Sequence, residues 1–263
     1  MYSKEHIIYL NNIKKKNIFI RTIQILMLFL FIIIWQLLAD FSLINTFISS
    51  SPKMVLETLN SLSKAELLRH IFVTVYETLI SFSLGTLIGF MIASILWWNN
   101  TIKKIVDPYL TILNSLPKVA LGPIIIIWFG AGIKSIIIMS LLISVIITII
   151  NVTTSFEETD SNKIKLMNSF NANKYQIFSK LVLPSSMNNI ISSLKINISM
   201  SLIGVIMGEF LVSKEGLGYL IMYGSQVFNL NLVVTGIILL CLISAIMYYI
   251  VLYIEKKLVH KMN

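Results

Sequence analysis

From Ile18 to Phe41 the chain carries only two charges, Arg21 and Asp40, and apolar runs of similar length recur to its end. An α-helix advances about 1.5 Å per residue, so about 20 apolar residues cover the roughly 30 Å hydrocarbon layer of a bilayer. Six such spans can be drawn, at about 18–40, 72–98, 106–129, 134–154, 186–212 and 231–254. Apolar residues make up 56% of the 263, charged residues 13%, and the mean hydropathy is +0.84, which removes a soluble globular domain from consideration. The expected fold class is an all-α membrane protein of about six transmembrane helices. Its expected organisation is a terminal segment over 1–17, a single membrane domain over 18–254 and a tail over 255–263.

The formal charge of +9 does not indicate nucleic acid, because the 21 Lys and Arg sit in short clusters between apolar runs and form no basic face interleaved with aromatics. They set topology instead. With both termini in the cytoplasm, the inner segments hold clusters such as Lys14–Lys16, Lys103–Lys104 and Lys256–Lys257. The outer ones hold only Lys53, Lys64, Arg69, Lys134 and Lys214. Trp97–Trp98 and Tyr248, Tyr249 and Tyr253 fall at inner span edges, the depth that amphipathic rings prefer. The basic N-terminus followed by an apolar run superficially resembles a secretory signal. That run is too long and lacks an A-x-A site, so an uncleaved first span is expected. Cys241, the single cysteine, lies in an apolar run as a small packing residue.

Several local features interrupt the apolar pattern. Between Ser42 and His70, Ser51 and Pro52 open a short amphipathic helix carrying Val55, Leu56, Leu59 and Leu62, lying on the outer surface. Gly85-x-x-x-Gly89 and Gly204-x-x-x-Gly208 allow close helix approach and place spans two and five at the centre of a bundle. Pro117 and Pro123 break the third span, which reads as a kinked helix lining a pathway or as a structural bend.

Catalytic chemistry is missing. No G-x-x-x-x-G-K-[ST] loop, H-E-x-x-H or His/Cys cluster occurs, so no ATP hydrolysis, catalytic residue or metal site is expected. The ionisable residues at membrane depth are Glu77, Lys118, Lys195 and Glu209. Lys195 and Glu209 lie 14 positions apart, roughly 21 Å along one helix, and cannot pair with each other. Each must face a cavity, snorkel, or meet another helix. Lys118 beside the Pro117 break either faces a cavity, where it would attract an anion, or snorkels or contacts a carbonyl. Pro117, Lys118, Pro123, Lys195 and Glu209 are the candidate pathway-lining set. No Ser/His pair or Asp dyad can be placed at common depth, which disfavours an intramembrane enzyme. An ion-coupled secondary carrier acting alone should show an inverted repeat and mid-depth carboxylates, and neither is evident.

The polar stretch NSFNANKYQIFSKLVLP, residues 168–184, stands apart. Ile164, Leu166, Met167 and Phe170 form one apolar cluster and Ile177, Phe178, Leu181 and Val182 another, with Asn171 between them. Asn tolerates the left-handed conformation that ends a helix, and Asn173 with Gln176 has the spacing of a capping box. The segment reads as helix, tight turn, helix, closed by Pro184 before span five. It needs a partner surface.

On these residues the chain resembles the membrane-spanning permease subunit of bacterial ABC importers, in the branch handling nitrate, sulfonates, taurine and thiamine precursors. The family's cytoplasmic EAA loop, E-A-A-x3-G-x9-I-x-L-P, falls on Lys165-Leu166-Met167, then Asn171, then Leu181, Leu183 and Pro184. Lys stands at the acidic position and Asn at the glycine. SPKMVLETL, SLPKVALGPIIIIWFGAG and LKINISMSLIGVIMGEFLVSKEGLGYLI are similar to the family's outer helix, proline-interrupted helix and fifth-span region, over about residues 50–230.

The resemblance implies a MetI-like permease architecture in the bacterial inner or plasma membrane, multi-pass, with both termini cytoplasmic. It also implies a coupling loop over about 156–184 built on Lys165, Leu166, Met167, Phe170, Asn171, Ala172, Leu181, Leu183 and Pro184. The implied partners are cytoplasmic ABC ATPase subunits, which bind the ATP, an extracytoplasmic substrate-binding protein, and a second permease copy, with no cofactor of the chain's own and no nucleic acid. The implied cargo is a small anionic or heterocyclic nutrient.

Overall fold

The computed structural model describes residues Lys4–Met262; residues 1–3 and 263 of the expected terminal segments lie outside it. Twelve α-helices follow in order among the described residues: α1 (Lys4–Asp40), α2 (Thr46–Ser49), α3 (Pro52–Ser61), α4 (Lys64–Trp98), α5 (Asn100–Ser115), α6 (Gly122–Phe129), α7 (Ile133–Glu157), α8 (Ser161–Ser169), α9 (Lys174–Ile177), α10 (Leu183–Val212), α11 (Leu217–Gln226) and α12 (Leu230–Met262). Five are long and apolar enough to cross a membrane, or six if α5 and α6 form one broken span.

α1 is helical from Lys4 and α12 to Met262, so the first and last spans continue through the basic ends without a break. The outer helix forms as its sequence predicts: the Ser51 hydroxyl accepts from the Met54 N–H at 3.3 Å, Pro52 sits in the first turn, and Val55 is buried.

The third span is a correction. It is not one kinked helix but two segments, α5 and Lys118–Phe129, that meet at 89°. Leu116 is extended, Pro117 has no N–H to continue the ladder, and a 3₁₀ turn over Lys118–Leu121 re-aims the chain before Pro123 opens α6. The pair reaches both ends of α7. Lys103, at the start of α5, forms an ion pair with Glu157 at the end of α7, while the Ser135 hydroxyl at the start of α7 donates to the Gly130 carbonyl just beyond α6. The two contacts sit at opposite ends of a 25-residue helix, about 33 Å apart.

α7 is the hub. Both glycine pairs pack against it and not against each other, because they meet its small side chains at the same four-residue spacing. A Cβ at Gly85 would collide with Ser144, and one at Gly89 would lie 2.7 Å from Thr148 Cγ2. On the other flank, a Cβ at Gly204 would lie 2.5 Å from the Ser140 Cα and one at Gly208 2.9 Å from the Ile136 Cα. The Ser140 hydroxyl completes this contact by donating to the Ser201 carbonyl at 2.8 Å. α7 thus lies between α4 and α10 with backbones in near contact, the arrangement that small residues permit in lipid.

At Gly204 the obstacle is backbone, which cannot rotate away. Gly204→Val is expected to destabilise the bundle by about 1–3 kcal/mol. The measurement is the unfolding midpoint in detergent, and an unchanged midpoint would show that α7 and α10 are not in this contact.

Candidate functional site: the α8–α9 segment and the buried carboxylates

The α8–α9 segment is built by local rules that its sequence states openly. Asp160 caps α8 by accepting from the Asn162 N–H at 2.8 Å. α8 ends in a Schellman closure: the Ala172 N–H donates to the Met167 carbonyl at 3.1 Å and the Asn171 N–H to the Asn168 carbonyl at 2.9 Å, with Asn171 left-handed at φ +56°. Asn supplies that conformation at lower cost than any residue with a branched β-carbon. α9 opens on a reciprocal capping box, in which the Gln176 N–H donates to Asn173 Oδ1 at 2.8 Å and the Asn173 N–H to Gln176 Oε1 at 2.9 Å.

Pro184 does not close the segment as its position suggests. A π turn over Phe178–Val182 joins α9 to α10, and Lys174–Val212 runs as one helical rod with Pro184 in its course. The wider turn immediately before the proline leaves room for a ring that would otherwise press on the carbonyl four residues back.

The two expected apolar clusters divide differently from their order in the chain. Ile164, Met167, Ala172, Phe178 and Leu183 pack around buried Ile177 and Val182 against Ala93 of α4 and Val152 and Phe156 of α7. Phe178 is the centre of this contact, with ring centroids 4.8 Å from Trp97 and 5.4 Å from Phe156. Lys174 lies 5.7 Å from the Trp97 ring and donates to the Trp98 carbonyl at 2.5 Å. Trp97, expected at a lipid edge, is therefore part of this joint. The other face holds Lys165, Leu166 (56% exposed), Phe170 (74%), Asn171 and Tyr175 (66%). Leu181 is half-buried and Pro184 exposed.

The candidate pathway residues take several roles. Pro117 and Pro123 are exposed on the α5–α6 corner, and Lys118 is half-buried, donating to the Asn114 carbonyl at 2.6 Å. That is the carbonyl contact that stood as one of its two readings. Lys195 meets another helix, pairing with Glu255 of α12 at 2.9 Å, and Ser192 donates to the same carboxylate at 2.8 Å.

Glu209 is 1% exposed, accepting from the Thr74 hydroxyl at 2.6 Å and the Gly218 N–H at 2.5 Å. Thr74 in turn accepts from the Leu217 N–H at 2.8 Å, and His70 Nδ1 accepts from the Gly216 N–H at 3.0 Å. The network fastens the α10–α11 turn to α4 across the end of the bundle remote from α8. Gly216, at φ +104°, and Gly218 leave the space that Glu209 occupies, since a Cβ at Gly218 would lie 2.7 Å from Glu209 Oε2.

One relation escaped the sequence. Glu77, also 1% exposed, brings its carboxyl beside that of Glu209, so two carboxylates do meet at common depth. They sit on helices whose relative register no spacing rule fixes.

With this geometry in place, the comparisons define the class. Residues 85–260 match the family model for the inner membrane component of binding-protein-dependent transport systems. The chain belongs to this family, and it is a multi-pass membrane permease subunit of the ABC importer type. A probable ABC transporter permease protein of Haemophilus influenzae is 31% identical over 83% of this chain and 89% of its own length. The putative aliphatic sulfonates permease SsuC of Bacillus subtilis is 26% identical over 88% and 84%. The formylaminopyrimidine permease ThiX of Halalkalibacterium halodurans is 27% identical over 71% and 74%. Among solved structures, an inward-facing MetNI methionine ABC transporter chain superposes with a TM-score of 0.65, at 20% identity, over 77% of this chain and all of the other.

The turn provides a sharp test. Asn171→Gly is expected to leave the melting temperature unchanged or slightly raised, whereas Asn171→Val is expected to cost about 1–2 kcal/mol. Equal behaviour of the two variants in thermal unfolding would contradict the left-handed closure.

Proposed function

We propose that the chain is the translocation subunit of an ATP-driven importer and that residues 161–184 receive a separate ATPase. One observation carries the reading. The segment turns Lys165, Leu166, Phe170, Asn171 and Tyr175 away from the bundle while its opposite face is bolted to α4, α7 and α10. Exposed large apolar side chains at a membrane edge, on a stretch rigidly joined to three spans, are suited to receiving a partner and transmitting its movement.

Lys165, Leu166, Phe170 and Asn171 are the contact residues in this reading. Met167, Ala172 and Leu183 hold the segment to the membrane helices, and half-buried Leu181 and exposed Pro184 carry the chain on into α10. A two-state opening toward one side and then the other, biased by nucleotide in the ATPase and by a loaded external binding protein, gives directional transport. The chain acts beside a second permease copy and carries a small anionic or heterocyclic nutrient. It contributes no ATPase chemistry of its own.

In co-expressed complexes, Phe170→Asp is expected to lower ATP-dependent uptake by tenfold or more while the chain still inserts and melts as the wild type does. Full uptake together with normal ATPase co-purification in this variant would contradict the proposed contact.

A further inference from the structure

α11 begins under restraint from two other helices. Its cap and first two residues, Gly216, Leu217 and Gly218, each give their N–H to a side chain: His70 Nδ1 at 3.0 Å, the Thr74 hydroxyl at 2.8 Å and Glu209 Oε2 at 2.5 Å. The first N–H groups of a helix find no acceptor within it, so these three bonds decide where α11 starts. His70 and Thr74 stand four residues apart on α4 and share one face. They tie α4 to the α10–α11 turn, whose Val212, Lys214 and Glu215 form one wall of a cavity of about 470 Å³ opposite Val73 and Glu77 of α4.

His70 is the one acceptor of the three that a proton abolishes. A hydroxyl always keeps a lone pair, and a carboxyl keeps one when protonated. An imidazolium carries N–H on both nitrogens and accepts nothing. Because the Gly216 N–H donates to Nδ1, the ring here is the neutral tautomer with its proton on Nε2.

The ring is 6% exposed and lies against Tyr219 of α11, with centroids 5.9 Å apart. The charged and titratable groups around it are Glu66 and Arg69 on its own helix, Lys214 and Glu215 in the turn, Tyr219 on α11, and Glu209 on α10 beyond Thr74. Arg69 engages Glu215. Glu66 and Glu215 offer a charged ring acceptors outside the Gly216 contact, so the ring has two places to bond, one for each protonation state.

We propose that His70 is an acid-released latch: its neutral ring holds the start of α11 to α4, and a proton on Nδ1 frees the α10–α11 turn to move off α4 and widen the cavity behind it. The bond is present above the titration of the ring and is lost as the pH falls through it. The latch is independent of the ATPase contact, which lies at the other end of the bundle.

The test follows hydrogen exchange of residues 213–218 by mass spectrometry, with the full chain in lipid nanodiscs at about pH 8 and about pH 5, either side of the ordinary imidazole titration. His70→Asn is the reference at each pH, because Asn Oδ1 takes the place of Nδ1 as an acceptor and does not titrate. Dividing by it removes the intrinsic pH dependence of exchange and the titration of the neighbouring carboxyls. The ratio of wild-type to His70→Asn exchange is expected to rise roughly fivefold or more on going to the acid condition. His70→Leu, which has no acceptor, is expected to exchange faster than wild type already at about pH 8.

A ratio that stays constant between the two conditions would overturn the latch, as would His70→Leu exchanging like wild type at about pH 8. A second measurement leaves His70 in place: ¹⁵N spectra of a His6→Gln, His260→Gln chain labelled at histidine are expected to show an unprotonated Nδ1 at about pH 8 and a charged ring at about pH 5. A proton on Nδ1 in the first condition, or a neutral ring in the second, would equally refute it.

Discussion

The close approach of α7 to α4 and α10 is the constraint on which the other features depend. Lipid offers helices no hydrophobic reason to associate, so what holds the bundle is van der Waals contact and a few interhelical hydrogen bonds. Gly85, Gly89, Gly204 and Gly208 meet Ser144, Thr148, Ser140 and Ile136 on α7, and Ser140 bonds the Ser201 carbonyl across the seam. With three helices locked at this separation, both ends of the bundle become fixed platforms. One end carries the α8–α9 segment, and the other carries the Glu209 network and the cavity beside it.

The two ends are joined by the same rods. α9, the π turn and α10 run unbroken from Lys174 to Val212, so a displacement of α9 is a displacement of the helix that bears Glu209. α4 is held at one end by Trp97 and Trp98 against Phe178 and at the other by Thr74 against Glu209. The Lys195–Glu255 pair adds α12 to α10 partway along. Movement imposed at the α8–α9 face has a continuous packed route to the remote cavity, without a flexible linker in between.

Much of this was legible in the sequence where the rule is local. The outer helix after Ser51, the left-handed Asn171 and the Asn173–Gln176 capping box all depend on neighbours within a few residues, and each formed as its sequence predicts. Four features were not legible. Pro184 normally stops a helix, but here a π turn accommodates it. Pro117 signals a break without giving its angle, and the right-angled corner comes from an extended Leu116 followed by a 3₁₀ turn. The small residues Ser140, Ser144 and Thr148 at four-residue spacing were a signal for α7 as the hub, but hydrophobicity elsewhere in that span hides it. The meeting of Glu77 with Glu209 depends on the register between two helices that are far apart in sequence. The five long apolar helices, and the broken α5–α6 pair as a sixth, were legible because hydropathy needs only one helix at a time.

The central claim is that one face of the α8–α9 segment receives an ATPase while the other grips the membrane bundle. Site-directed disulfide trapping tests it most directly. Phe170→Cys, Leu166→Cys and Met167→Cys are made in a Cys241→Ser background and oxidised in membranes containing the co-expressed ATPase with a cysteine scan of its surface. The account predicts cross-links from positions 166 and 170 and none from position 167, whose side chain is turned into the bundle. Cross-linking from 167 equal to that from 170, or none from either exposed position, would contradict it.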